Sequence, residues 1–292
     1  MNLDDHINRK SKKNQKKTNI KNFNQINLDY KKEDIVKALK RIGVKKGDLL
    51  FISSNITFFG ITNVFNKDEL CKIFLDCFLK VVGKSGTLCF PTYSYSFGQN
   101  KNYDTLYTKS DCGIFSEFMR TNKKVLNYYD PNVSIAIYGN KKKYFSKYVT
   151  KNSYAENSFF DRFFKAGGKV CNLNLPAETC FVHYFERKLN VPYRYDKEFK
   201  GTIISKGEKI KTNSIIFVRK IKKKFIGDYE DLTGAMVKFK ILKKANIGRG
   251  FILSYKLNDQ FKLIKKMINK DKFFLTKGGK KKFKSFTRFT FY

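Results

Sequence analysis

The sequence predicts an α/β fold in a single domain, with a more strand-rich C-terminal part. Two patterns carry this expectation. Through the first two thirds of the chain, apolar residues alternate between helical and strand spacing. In the last third, short apolar runs are punctuated by glycine. The 292 residues can bury a substantial core, and no Pro/Ser-rich linker or internal repeat divides them.

Residues 1–26 are rich in Lys and Asn and lack apolar periodicity, so they read as a disordered basic tail. The folded domain is set at 27–276. Its first helix spans 31–42, where Ile35, Val36, Leu39 and Ile42 make one stripe and Gly43 and Gly47 mark the end. Residues 48–53 form a buried strand that ends in Ser53 and Ser54. Hydroxyl residues there suit a binding loop at the carboxyl edge of a sheet, although capping serines in a plain turn explain them equally well. The clearest amphipathic helix is 68–82, opened by Asp68 and Glu69. A short strand at 87–90 then closes in Pro91, Thr92 and Tyr93.

Residues 93–107 are polar and aromatic, as in a loop lining an acceptor pocket. A helix starts near 112–120, and a strand at 134–139 ends in glycine. A helix at 159–165 and a strand at 169–175 follow, and Pro176 precedes the helix that carries His183. Further strands are expected at 202–204, 214–218, 236–241 and 247–255, with a helix at 257–268. Residues 277–292 form a basic, aromatic C-terminal tail.

The net charge of +36 permits a nucleic-acid or anionic-surface binder without catalysis. Lysines are spread along the whole chain, however, together with abundant Asn, Ile, Phe and Tyr, which points to compositional drift. No nucleic-acid-binding motif is present. Six cysteines without C-x-x-C spacing read as free thiols in a reducing cytoplasm, with no disulfide frame and no metal site. No apolar run is long enough to span a membrane, and the N-terminus has no secretory signal, so a cytoplasmic protein is expected.

The chain has two histidines, His6 in the basic tail and His183. Chemistry that needs an imidazole therefore falls to His183. Glu186 lies three residues on, so a helix puts both side chains on one face, where a carboxylate can fix the imidazole tautomer. On spacing alone, the plainer account of a surface ion pair or a satisfied histidine is favoured.

The surroundings change that balance. Thr179, His183 and Glu186 give T-x-x-x-H-x-x-E. Val191, Pro192, Tyr193, Arg194, Tyr195, Lys197, Phe199 and Gly201 give V-P-Y-R-Y-x-K-x-F-x-G. Gly86 to Thr92 read G-T-L-x-x-P-T, and Gly113, Glu117 and Arg120 fit G-x-x-x-E-x-x-R. Together these motifs, over about 34–275, resemble the antibiotic N-acetyltransferase family, best known as aminoglycoside 3-N-acetyltransferases. The resemblance implies a three-layer α/β/α core with a central mixed sheet. It also implies acetyl-CoA, or another acyl-CoA, as co-substrate and an amino sugar as acceptor, with direct transfer and no metal.

On that resemblance, His183 is the base and Glu186 orients it or holds a sugar ammonium. Ser53, Ser54, Pro91, Thr92 and Tyr93 would meet the CoA arm. Asp130 (where many relatives have histidine), Ser134, Thr179 and Arg194 would meet the acceptor. Many relatives also have glycine where this chain has Asn174. A Cys180 nucleophile beside His183 is the less favoured mechanism. A nucleotide-linked amino sugar of surface-glycan synthesis is the alternative acceptor, since it suits the basic balance of the chain. A homodimer is compatible with these expectations.

Overall fold

A computed structural model describes residues 27–64, 66–280 and 283; the tail expected at 1–26 and most of that expected at 277–292 lie outside them. The first helix, α1 (Lys32–Arg41), buries Ile35, Ala38 and Leu39 and leads into strand β1 (Leu49–Ser54). Helix α2 (Lys67–Val82) opens on Asn66, whose side chain accepts the Glu69 N–H at 2.8 Å. Strand β2 (Thr87–Pro91), the two-residue β3 (Tyr103–Asp104), α3 (Ile114–Arg120), β4 (Leu126–Tyr128) and β5 (Ile135–Gly139) follow. Next come α4 (Lys142–Ser146), α5 (Phe159–Lys165), β6 (Lys169–Leu173) and α6 (Phe181–Lys188). The chain closes with β7 (Arg194–Ser205), β8 (Glu208–Arg219), α7 (Glu230–Lys238), β9 (Lys243–Ile247), β10 (Gly250–Lys256) and α8 (Leu257–Lys270).

Seven strands form a mixed sheet in the order β4-β5-β2-β1-β6-β10-β9. Its centre, β2-β1-β6, is parallel, and the outer pairings are antiparallel. Alternation along β1 divides the core between the two faces. Leu50 and Ile52 join Ile35, Leu39 and Phe74 on the side of α1 and α2. Phe51 packs edge-on against Phe181 on the other side, 5.1 Å between ring centroids. This is the three-layer α/β/α core. A second sheet, β3-β7-β8, is built on a long hairpin turned by Lys206 and Gly207, both at positive φ.

Two expected strands are corrected. Residues 236–241 are the end of α7 and the turn after it. Leu232, Ala235 and Met236 bury one helical face, and Glu230 and Asp231 sit in its first turn. The run at 247–255 holds one strand, which begins only at Gly250 as β10; Ile247 ends β9, and Gly248, at φ 51°, turns the hairpin between them. Strand β4, helix α4 and strand β9 are short and carry no periodicity that the sequence could show.

Candidate active site

Because β1, β2 and β6 run parallel, their carboxyl ends share one edge of the sheet. Ser53 and Ser54 end β1, Pro91 to Tyr93 end β2, and the segment after β6 carries Thr179 and His183. Ser134 reaches the same edge because β5 runs antiparallel to β2. Several residues expected from the sequence thus share this edge, in different settings.

His183 and Glu186 both lie on α6. The imidazole Nδ1 is 2.8 Å from Glu186 Oε2; the His183 side chain is 28% exposed, whereas Glu186 is fully buried. Tyr193 donates its hydroxyl to Glu186 Oε1 at 2.8 Å, and Arg194 Nε lies 2.6 Å from Oε2 as an ion pair whose N–H is not aligned as a hydrogen bond. Arg194 also donates to the Phe217 carbonyl at 3.1 Å. Burial pushes the Glu186 carboxyl up, but His183, Arg194 and Tyr193 outweigh it and hold the group below the usual carboxylate value. An ionised carboxylate can only accept hydrogen bonds. Nδ1 must therefore carry a proton, and in the neutral form of the ring the lone pair is on Nε2.

Asp130 and Ser134 stand behind this surface. Asp130 is fully buried and accepts the N–H groups of Asn132 and Val133 and, at 2.6 Å, the Ser153 hydroxyl. Burial raises its carboxyl, against the pull of those three donors. Ser134 donates to the Thr92 carbonyl at 2.6 Å and accepts the Thr92 hydroxyl at 3.1 Å, so these two buried residues stitch β2 to β5. Thr179 accepts the Phe181 N–H at 3.4 Å at the start of α6.

Ser54 is buried and its hydroxyl has no partner. The α3 N-terminus crosses close above it: a Cβ at Gly113 would stand 3.4 Å from the Ser54 carbonyl. A cavity of about 700 Å³ opens beside Gly113, between the first turns of α2 and α3, with Lys67, Asp68 and Ser110 in its walls.

An aromatic collar surrounds the start of α6, and of its members sequence reasoning missed Tyr154, whereas Tyr93 and Tyr95 belong to the loop read as aromatic at 93–107. Tyr154 meets the His183 ring edge-on at 6.1 Å between centroids, and Tyr95 packs on Tyr93 at 5.8 Å. Tyr154 arrives on a loop tied to β8 by the Asn152–Ile215 bridge, a long-range pairing with no local signal. Tyr193 did have a signal, its place in V-P-Y-R.

A family model described as aminoglycoside 3-N-acetyltransferase matches residues 60–269. The chain belongs to the aminoglycoside 3-N-acetyltransferase family. It is therefore an acyltransferase.

Solved structures of the same fold include the aminoglycoside acetyltransferase AAC(3)-Xa, at 17% identity and TM-score 0.70, covering 82% of this chain and 92% of that one. The YokD protein of Bacillus subtilis matches at 18% identity and TM-score 0.66, over 80% of this chain and 97% of that one. AAC-VIa bound to sisomicin matches at 14% identity and TM-score 0.71, covering 82% and 98%. Among curated proteins no match was found. Among the described residues, no helix is long and apolar enough to cross a membrane, and no group of three His, Cys, Asp or Glu side chains is placed to hold a metal. All six cysteines are free thiols.

Proposed function

We propose that this family member moves an acetyl group directly from acetyl-CoA to an amine of an amino sugar, with His183 as general base. One observation carries the reading: a half-buried imidazole is fixed through Nδ1 by a buried carboxylate, which leaves Nε2 as its proton acceptor. The amine nitrogen attacks the thioester carbonyl while His183 takes its proton. Collapse of the tetrahedral adduct expels the CoA thiolate, which takes the proton back from the imidazolium. Glu186 positions the ring and stabilises the imidazolium. Arg194 and Tyr193 keep Glu186 in place.

Ser53, Ser54 and the cavity beside Gly113 suit the pantetheine arm, because the unpartnered Ser54 hydroxyl is a buried polar group in need of a ligand atom. Thr92 and Ser134 are spent on each other and Asp130 on its own turn, so we assign these three to holding the wall of the site. Burial raises the Cys180 thiol above its usual value, which disfavours the thiolate that an acyl-enzyme route requires.

A solved relative, "AAC-IIIb binary with CoASH", matches at TM-score 0.70 and 16% identity, covering 82% of this chain and 96% of that one. The sisomicin complex supports an aminoglycoside acceptor. A nucleotide-linked amino sugar is the second reading, favoured by 61 Lys and Arg against 25 Asp and Glu.

Acetyl-CoA at 100 times its dissociation constant should add about 2.7 kcal/mol of stability. Thiol release with a free aminoglycoside and with a nucleotide-linked amino sugar, at two salt concentrations, then tests the acceptor. Turnover of the free aminoglycoside with little salt dependence is expected. A faster, salt-sensitive reaction of the nucleotide-linked sugar would favour the second reading. No stabilisation by acetyl-CoA and no thiol release with either would overturn acyl transfer.

A further inference from the structure

Three tyrosines from two loops meet over the N-terminus of α6. Tyr93 and Tyr95 follow β2, and Tyr154 precedes α5. Tyr93 is 5% exposed and Tyr154 is 3% exposed. All three hydroxyls lie within reach of the thiol of Cys180, the residue that caps α6. Sulfur is a weak acceptor, and the Tyr93 hydroxyl closes no directed hydrogen bond.

The backbone is arranged to keep these rings in place. Tyr95 sits in the left-handed region at φ 48°, which is costly for an aromatic residue, and its N–H donates to the Asn132 carbonyl at 3.2 Å. The Tyr93 carbonyl accepts the Asp111 N–H at 2.8 Å. Burial holds the phenol pKa of Tyr93 and Tyr154 well above the usual value, so both keep their protons and remain donors.

A buried hydroxyl without an acceptor costs about 1–3 kcal/mol. Phenylalanine would fill the same space without that cost, and this chain uses it 30 times. Buried phenols that point at a weak acceptor, with Tyr154 against the imidazole of His183, call for a better acceptor supplied by a ligand.

We propose that the Tyr93 hydroxyl, with Tyr154 beside it, binds the carbonyl oxygen of the acyl donor and holds it as it becomes an oxyanion. This assignment rests on the acyl-transfer reading. As the amine adds to the carbonyl carbon, the π pair of the C=O bond moves onto oxygen, where negative charge develops. The phenols donate hydrogen bonds to it and keep their protons. When the C=O bond re-forms and the C–S bond breaks, the phenols return to their starting state. Donors pre-placed in a site poor in water stabilise such charge most effectively.

The test is Tyr93→Phe in the full chain, with wild type, His183→Ala and Tyr154→Phe run alongside. The expected variant melts at or above the wild-type temperature, since an unpaired hydroxyl has been removed. Its kcat falls about 10²-fold or more, as for loss of one oxyanion donor. KM for acetyl-CoA and the shape of the pH–rate profile stay near wild type, because the contact strengthens only in the transition state and no titrating group is lost. Tyr154→Phe should lower kcat in the same direction by less. A Tyr93→Phe enzyme that melts like wild type and turns over within about twofold of it would overturn the assignment. So would a variant that melts several degrees lower and loses rate only in proportion to its unfolded fraction. If wild type itself transfers no acetyl group, the acyl-transfer reading fails first and this assignment falls with it.

Discussion

Glu186 serves three partners at once: the imidazole of His183, the Tyr193 hydroxyl and the Arg194 guanidinium. From spacing alone, Glu186→Gln would touch rate more than stability. Full burial reverses that expectation, because the change strands the cation of Arg194 in the interior. Breaking a buried pair by removing one member costs about 3–5 kcal/mol, so Glu186→Gln should lose about that much stability at neutral pH as well as rate. The carboxyl is held below its unfolded value, so its contribution is fully present above the ordinary carboxylate range. It is lost as pH falls through the depressed folded value. The gap between wild type and Glu186→Gln in urea unfolding should therefore narrow in acid, and equal stability at neutral pH would contradict this account. At this scale the sequence was readable where a motif was local. His183, Glu186, Tyr193 and Arg194 lie within twelve residues, whereas Tyr154 reaches the histidine only through the β8 bridge.

Among the elements, the end of β6 shows how one residue locks two segments beside the site. Asn174 takes the left-handed conformation, at φ 52°. Its side-chain NH₂ donates to the Asn55 carbonyl at 3.1 Å, and its carbonyl accepts the Phe251 N–H at 2.8 Å. It thus ties the loop after β1 to β10. Gly250 leaves the room for this, since a Cβ there would come within 2.1 Å of Asn174 Oδ1. Asn174→Gly keeps the backbone conformation and loses two hydrogen bonds. Asn174→Ala loses the bonds and adds about 1–2 kcal/mol of left-handed strain. Melting temperatures should fall in the order wild type, Gly, Ala; an alanine variant as stable as the glycine one would show that the strain does not matter here. Elements were legible where a long apolar stripe repeats, as in α2 and α8. They were misread where β-branched and aromatic residues follow a helix, as at 236–241, or where a glycine turn interrupts an apolar run, as at 247–255.

Over the whole molecule, the parallel centre of the sheet does the gathering. It brings strand ends far apart in sequence to one edge, and α6 presents the histidine there. The positive charge is not confined to that edge. A cleft of about 560 Å³ at the opposite edge, where β6 begins, is lined by six lysines (Lys169, Lys240, Lys243, Lys256, Lys262 and Lys266) with Asp259 as its single acid. Part of the net charge therefore lies away from the acceptor and says little about it. The account stands on the imidazole of His183, the only histidine among the described residues. The decisive measurement is acetyl transfer by His183→Ala against wild type, with acetyl-CoA binding followed by thermal shift. The ring is partly exposed, so the variant should fold and still bind acetyl-CoA, while turnover falls at least about 10²-fold. Retention of more than about a tenth of wild-type turnover would contradict the general-base assignment.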